Sequence, residues 1–128
     1  MATSRDIAFA VGNLLAEHKG SSVVILDLAV QSGWTDWFVI ATAGNVTQLR
    51  GLARHAEEYA ASHDLALRRG VSISDDEEWA LLDFGDLVVH LMLEKARQFY
   101  ELEKLWFQAP SYAIEAATNA NRSAVTQA

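Results

Sequence analysis

Apolar positions recur along this chain in two rhythms, and each rhythm predicts an element. Over residues 4–18, Ile7, Ala8, Val11, Leu14 and Leu15 return every three or four positions, the spacing of one helix face. Thr3 or Ser4 can cap that helix, and His18-Lys19-Gly20 can end it. Residues 23–30 (VVILDLAV) are β-branched and apolar, so they read as a largely buried strand. Gln31-Ser32-Gly33 breaks the run, and 36–42 (DWFVIAT) reads as the next strand. So short a connection predicts antiparallel pairing of the two.

The helical rhythm returns after Asn45, an N-cap residue followed three positions later by Gln48 in a capping-box pattern. That helix runs to about His63. Leu49, Leu52, Ala53, Ala56, Tyr59 and Ala60 form its core stripe, and Arg50, Arg54, Glu57 and Glu58 face water. Residues 65–69 (LALRR) read as a short edge strand and 70–78 (GVSISDDEE) as a polar loop. Strands are predicted over 79–84 (WALLDF) and 87–92 (LVVHLM), around the turn dipeptide Gly85-Asp86. One or two short helices follow over 94–106, and Pro110 closes them. The order α-β-β-α-β-β-β-α predicts an α+β two-layer domain over residues 1–110, a mixed sheet of about five strands with helices packed on one face. Residues 111–128 lack periodicity and read as a C-terminal tail, frayed or weakly helical.

Composition narrows the function. Asp plus Glu number 17 against 10 Lys plus Arg, a formal net charge of −7. Nucleic acid and anionic membranes are therefore poor partners, since phosphate neutralisation needs a basic surplus. With no cysteine, disulfides, thiolate catalysis and Cys-ligated metals are excluded. The first twenty residues lack a signal-peptide core, and no apolar run approaches the ~20 residues of a membrane span. A cytoplasmic protein is the expectation.

Catalytic motifs are sparse. There is no phosphate-binding glycine loop, and His18, His55, His63 and His90 fit no metal-binding spacing. His90 interrupts an apolar strand and reads as a hydrogen-bonded histidine at the rim of the core, with catalysis the other reading. The run Asp75, Asp76, Glu77, Glu78 lacks calcium-loop spacing and reads as a solvated loop. Asp83 and Asp86 could hold magnesium in a nucleotidyltransferase-type enzyme. Without a phosphate cradle, a turn-forming role for Asp86 fits better. No cofactor is expected.

A second kind of surface is visible. In WALLDF, Ala80, Leu82 and Phe84 form an apolar face, while Trp79, Leu81 and Asp83 form a mixed one that suits a half-exposed contact. In LVVHLM, the face with Val88, His90 and Met92 is likewise mixed. Phe99, Tyr100, Leu102, Leu105, Trp106 and Phe107 crowd nine residues, with Glu101, Glu103 and Lys104 interleaved. Such aromatics either cover the sheet end or serve as binding hot spots. Rimmed by acids, they suit a basic protein surface.

These same segments resemble the Iojap-like ribosomal silencing factors (RsfS). Thr35-Asp36-Trp37-Phe38-Val39-Ile40-Ala41-Thr42 is similar to the family's TDYFVIAT-type signature, and Gln48-Leu49-Arg50 to its helix start. A longer block, Glu78 to His90 and on through Ala96 to Trp106, carries the resemblance further, to cover roughly residues 5–107. Trp37 stands where Tyr is usual, and Ala43-Gly44-Asn45 shifts the usual Gly-Asn by one position. The resemblance implies a non-catalytic, nucleotidyltransferase-like fold, often a homodimer when free. It implies binding to the large ribosomal subunit through ribosomal protein fourteen, which sterically blocks joining of the small subunit and represses translation under nutrient limitation. Carried onto this sequence, the contact region comprises Trp79, Leu81, Asp83, Asp86, His90, Tyr100, Glu101, Glu103, Leu105 and Trp106. Trp79, Leu105 and Trp106 would be anchors, and Asp83, Asp86, Glu101 and Glu103 would face ribosomal Lys and Arg.

Overall fold

A computed structural model describes residues 3–29, 35–65, 71–106, 108–114 and 125–127. Helix α1 spans Ser4–Glu17. Thr3 caps it: its Oγ1 accepts from the Asp6 amide at 3.1 Å while its own amide donates to the Asp6 carboxylate at 3.2 Å, a reciprocal capping box. Gly20 turns the chain into strand β1, Ser21–Asp27. A Cβ there would lie 2.9 Å from the Leu15 carbonyl oxygen, so only glycine fits this close approach. Strand β2, Trp37–Ala43, pairs antiparallel with β1, as the short connection predicts; the turn expected at Gln31–Gly33 lies outside the described residues.

Helix α2, Val46–Ser62, starts at Asn45, whose Oδ1 accepts from the Gln48 amide at 2.8 Å. The reciprocal bond of the expected capping box is displaced by one residue, because the Gln48 side chain accepts from the Gly44 amide. Its Nε2 donates to the Lys19 carbonyl at 3.0 Å, tying the start of α2 to the end of α1. Strand β3 (Val71–Ile73) lies within the expected polar loop, and the strand expected at 65–69 falls, Leu65 apart, outside the described residues. Strands β4 (Trp79–Asp83) and β5 (Leu87–Leu93) flank the Gly85 turn, where φ is 94°. Helices α3 (Glu94–Tyr100) and α4 (Leu102–Leu105) follow, then strands β6 (Ser111–Ile114) and β7 (Val125–Gln127).

The protein is α+β with one mixed sheet in the order β3-β4-β5-β2-β1-β6-β7. Seven strands are present among the described residues where about five were expected. Among the described strands only β2 and β5 pair in parallel, and α2 lies in the crossover between them. The segment 111–114 is not a tail: its residues Ile114 to Ser111 pair with Val23 to Leu26 and cover the edge of β1. An apolar strand such as β1 is an aggregation hazard if left as an edge, and this pairing removes it. Ile114 is buried in the main core. Ile114→Val should therefore cost about 1 kcal/mol in urea denaturation, whereas a residue in a frayed tail would cost nothing.

Helices α1 and α2 cover one face, burying Val39, Ala41, Leu82, Val89 and Leu91 of the sheet against Val11, Leu15, Leu49 and Leu52. The opposite face is not open, as helices on a single face would leave it. Phe38, Ile40 and Val88 pack there with Leu26, Leu28 and Ala109, and Leu102 and Trp106 lean onto them. This two-sided cover explains why β2 is buried at every position and β5 at all but its last.

Candidate functional site

Strand β4 alternates as its sequence predicts. Ala80 and Leu82 are buried in the main core, while Trp79, Leu81 and Asp83 are half-buried on the opposite face. The neighbouring face of β5 differs from the expectation of a mixed, half-exposed surface: Val88, His90 and Met92 are all buried. The C-terminal segment accounts for this, since α3, α4 and the residues after them return across the sheet.

The result is a continuous row of rings. Trp106 packs against Phe38 at 6.3 Å between centroids, and Phe38 against His90 at 4.4 Å. His90 continues to Trp79 at 5.7 Å, Trp79 to Tyr100 at 4.6 Å and Tyr100 to Phe99 at 4.9 Å. Such offset and edge contacts favour one arrangement of each ring. The row runs from core to solvent. His90 is 4% exposed, Trp79 is half-buried, and Tyr100 and Phe99 are 51% and 78% exposed. Leu105, on α4, is 69% exposed. Three large apolar side chains this exposed on seven consecutive residues form the kind of patch that marks a contact site.

His90 is the buried base of the row. Its Nδ1 accepts from the indole N–H of Trp79 at 3.1 Å, so a neutral ring carries its proton on Nε2. That Nε2 has no hydrogen-bond partner. Burial holds the imidazole neutral and lowers its pKa from 6.5 to about 4. His90 thus acts by fixing the Trp79 indole from below, as a buried histidine hydrogen-bonded through one ring nitrogen and not as a surface contact.

The other candidate residues divide. Leu81 sits opposite His90 in the β4–β5 register and borders the same face. Glu101 and Lys104 form an exposed ion pair at 3.3 Å beside Tyr100. Glu103 does not project freely: both its carboxylate oxygens accept from Arg97, at 3.3 and 2.8 Å. Asp83 lies four residues along β4 from Trp79, about 13 Å away. Its Oδ1 accepts from the Gly85 amide at 2.8 Å, a turn-forming bond. The Asp86 carbonyl accepts from the Asp36 and Trp37 amides at 3.0 Å each, fixing the start of β2. The structure therefore links Trp79, His90, Tyr100 and Trp106 in one row of rings, with Leu81 and Glu101 bordering it and Leu105 exposed on α4, and it places Asp83 and Asp86 about the Gly85 turn. The magnesium reading rests on that acid pair alone, and one of Asp83's carboxylate oxygens is engaged by the Gly85 amide. The acidic run is a built turn: Asp76 accepts from the Ser74 hydroxyl at 2.7 Å, which lowers its pKa, and Glu77 pairs with Arg50 of α2.

Phe99 and Arg97 were the contributors that sequence reasoning left out of the site. Phe99 carried a signal, as one of six large apolar residues in nine, whereas the partners of Arg97 are far away in sequence. Trp106 is half-buried against the second core cluster. Trp106→Glu should accordingly lower stability by about 2 kcal/mol in urea denaturation, so it does not probe the surface alone.

A family profile described as "Ribosomal silencing factor during starvation" matches residues 1–128. The chain belongs to this family. Its sequence is 37% identical over 108 residues to the ribosomal silencing factor RsfS of Treponema pallidum, covering 81% of this chain and 93% of that one. The fold superimposes on a crystal structure of a Chromobacterium violaceum protein with a TM-score of 0.77 at 29% identity, over 91% of this chain and 98% of the other. A mouse protein named for mitochondrial assembly of the ribosomal large subunit is 29% identical over 96 residues, 73% of this chain but 42% of its own length. As a ribosomal silencing factor, the chain has a role at the ribosome. No helix among the described residues is long and apolar enough to cross a membrane.

Proposed function

We propose that this silencing factor docks on the large ribosomal subunit through ribosomal protein fourteen, on the face that meets the small subunit, and blocks joining of the two sterically. The observation that carries this reading is the exposure of Phe99, Tyr100 and Leu105, with Tyr100 packed on Trp79 and Trp79 held by His90. Aromatic side chains held rigid before binding lose little entropy on docking and serve as anchors. Charge supports a protein partner over RNA. A net charge of −7 is repelled by ribosomal phosphates but attracted to a basic ribosomal protein, and Glu101 lies at the edge of the patch. The mouse relative, whose name places it in assembly of the large subunit, points to the same subunit. In the free protein, a second copy would cover the patch as a homodimer, and the site of action is the cytoplasm.

Purified large subunits from the cognate cell test the reading directly. The protein should co-sediment with them in about one-to-one ratio and slow their association with small subunits, followed by light scattering. Absence of co-sedimentation at low and moderate salt would overturn it.

A further inference from the structure

Arg97 lies on α3, two and three residues before the exposed Phe99 and Tyr100, and is itself buried. Its side chain is 9% exposed, and its guanidinium makes four hydrogen bonds among the described residues. Nε and Nη2 grip the two oxygens of Glu103, and Nη1 donates to the Ser22 carbonyl at 2.5 Å and the Thr42 hydroxyl at 2.8 Å. The Ser22 carbonyl is available because β1 carries an irregularity between Ser21 and Val24, with Ser22 at φ 47°. Arg97 therefore bolts α3 to the sheet through β1 and β2, and through Glu103 it bolts α4 to α3.

That second link bridges a strained joint. Between α3 and α4 lies Glu101 in the left-handed region, φ 48° and ψ 51°, an unfavourable conformation for a side chain with a Cβ. Helix α4 has four residues and none is buried, so it cannot persist by its own hydrogen bonds. Phe99 and Tyr100 precede the joint, and Leu105 follows it. The spacing of the three exposed residues depends on the angle at Glu101, and the Arg97–Glu103 fork spans that angle.

Resting on the docking reading above, we infer that Arg97 is a positioning residue for the ribosome-binding surface, and that Glu103 acts through Arg97 instead of touching the partner. The fork is bidentate and charge-assisted, the strong form of such a pair. Thr42, 4% exposed on the central strand β2, cannot reach a docked protein; its hydroxyl is linked to α3 through Arg97.

The test measures affinity for purified large subunits with wild type, Thr42→Val, Glu103→Gln, Arg97→Met and the double variant Arg97→Met/Glu103→Gln. Amide hydrogen exchange of residues 102–106 is followed in each free protein. Thr42→Val should weaken binding about threefold and Glu103→Gln about tenfold, and the double variant should bind no worse than Arg97→Met alone, the non-additivity of coupled groups. Exchange at 102–106 should accelerate at least about tenfold in the Glu103 and Arg97 variants while α1 and α2 stay protected. If Arg97→Met fails to fold, Thr42→Val and Glu103→Gln still decide. Multiplying losses in the double variant, or wild-type affinity in Thr42→Val together with unchanged exchange in Glu103→Gln, would show Glu103 to be a direct contact and overturn the inference. Failure of the wild-type protein to bind would instead remove the docking reading.

Discussion

Replacing Tyr100 and Leu105 together by lysine is expected to abolish co-sedimentation with the large subunit, a loss of affinity of at least roughly 100-fold. Both side chains are mostly in water in the free protein, so their removal leaves no cavity, and the unfolding midpoint should move by only a few degrees. In the complex the two lysines would bring charge into a desolvated centre and face a basic partner, and both effects act against binding. Glu57→Lys is the control. It changes the net charge by the same two units on the water-facing side of α2, and should leave binding within about twofold. Wild-type affinity in the Tyr100/Leu105 variant would place the docking surface elsewhere on the molecule.

Acidification from pH 7 to 4.5 should cost the fold about 2–3 kcal/mol through His90 alone. The sign follows from the depressed pKa. Between pH 6.5 and about 4 the unfolded chain binds a proton at this histidine and the native protein does not. The stability conferred by a neutral buried imidazole is therefore complete above pH 6.5 and is lost as pH falls toward 4. Protonation would also abolish the acceptor for the Trp79 indole N–H, so the acid-destabilised core lies directly under the exposed rings. Urea denaturation of the wild type and of His90→Gln at both pH values isolates the effect, because carboxylate titration is common to the two. An equal acid loss in both proteins would exclude His90 as its source.

These two predictions show how differently the parts of the site were legible in the sequence. The pattern of WALLDF was enough to separate the core face of β4 from the face bearing Trp79 and Leu81, because alternation has a period of two and local geometry enforces it. For β5, LVVHLM has the same alternation, yet both faces are buried. Burial there depends on a segment ten or more residues later, folding back over the sheet. The aromatic cluster at 99–107 was likewise visible, but periodicity could not distinguish Phe99 and Tyr100, which reach solvent, from Trp106, which packs on Phe38. That distinction is made at the Glu101 joint, where the chain changes direction.

The strand at 111–114 was missed for a related reason. Four residues, SYAI, carry too little pattern to stand out, and they become a strand because the edge of β1 offers them backbone partners. Asp83 and Asp86 stand three apart in sequence, and spacing alone leaves a metal pair possible; the fold engages the Asp83 carboxylate in the Gly85 turn and the Asp86 backbone carbonyl at the start of β2.

By itself, then, the sequence determined what depends on near neighbours and on total composition. It set the two long helices with their caps, the four central strands, the mixed sheet, an acidic character unsuited to RNA, and, through its long motif, the family. Tertiary structure alone decided which side chains are anchors and which are supports. Arg97 meets Ser22 and Thr42 across 75 and 55 residues of chain, and His90 is held neutral by its burial beside Phe38 and Trp79. Such effects depend on burial and long-range contact, which no local pattern encodes.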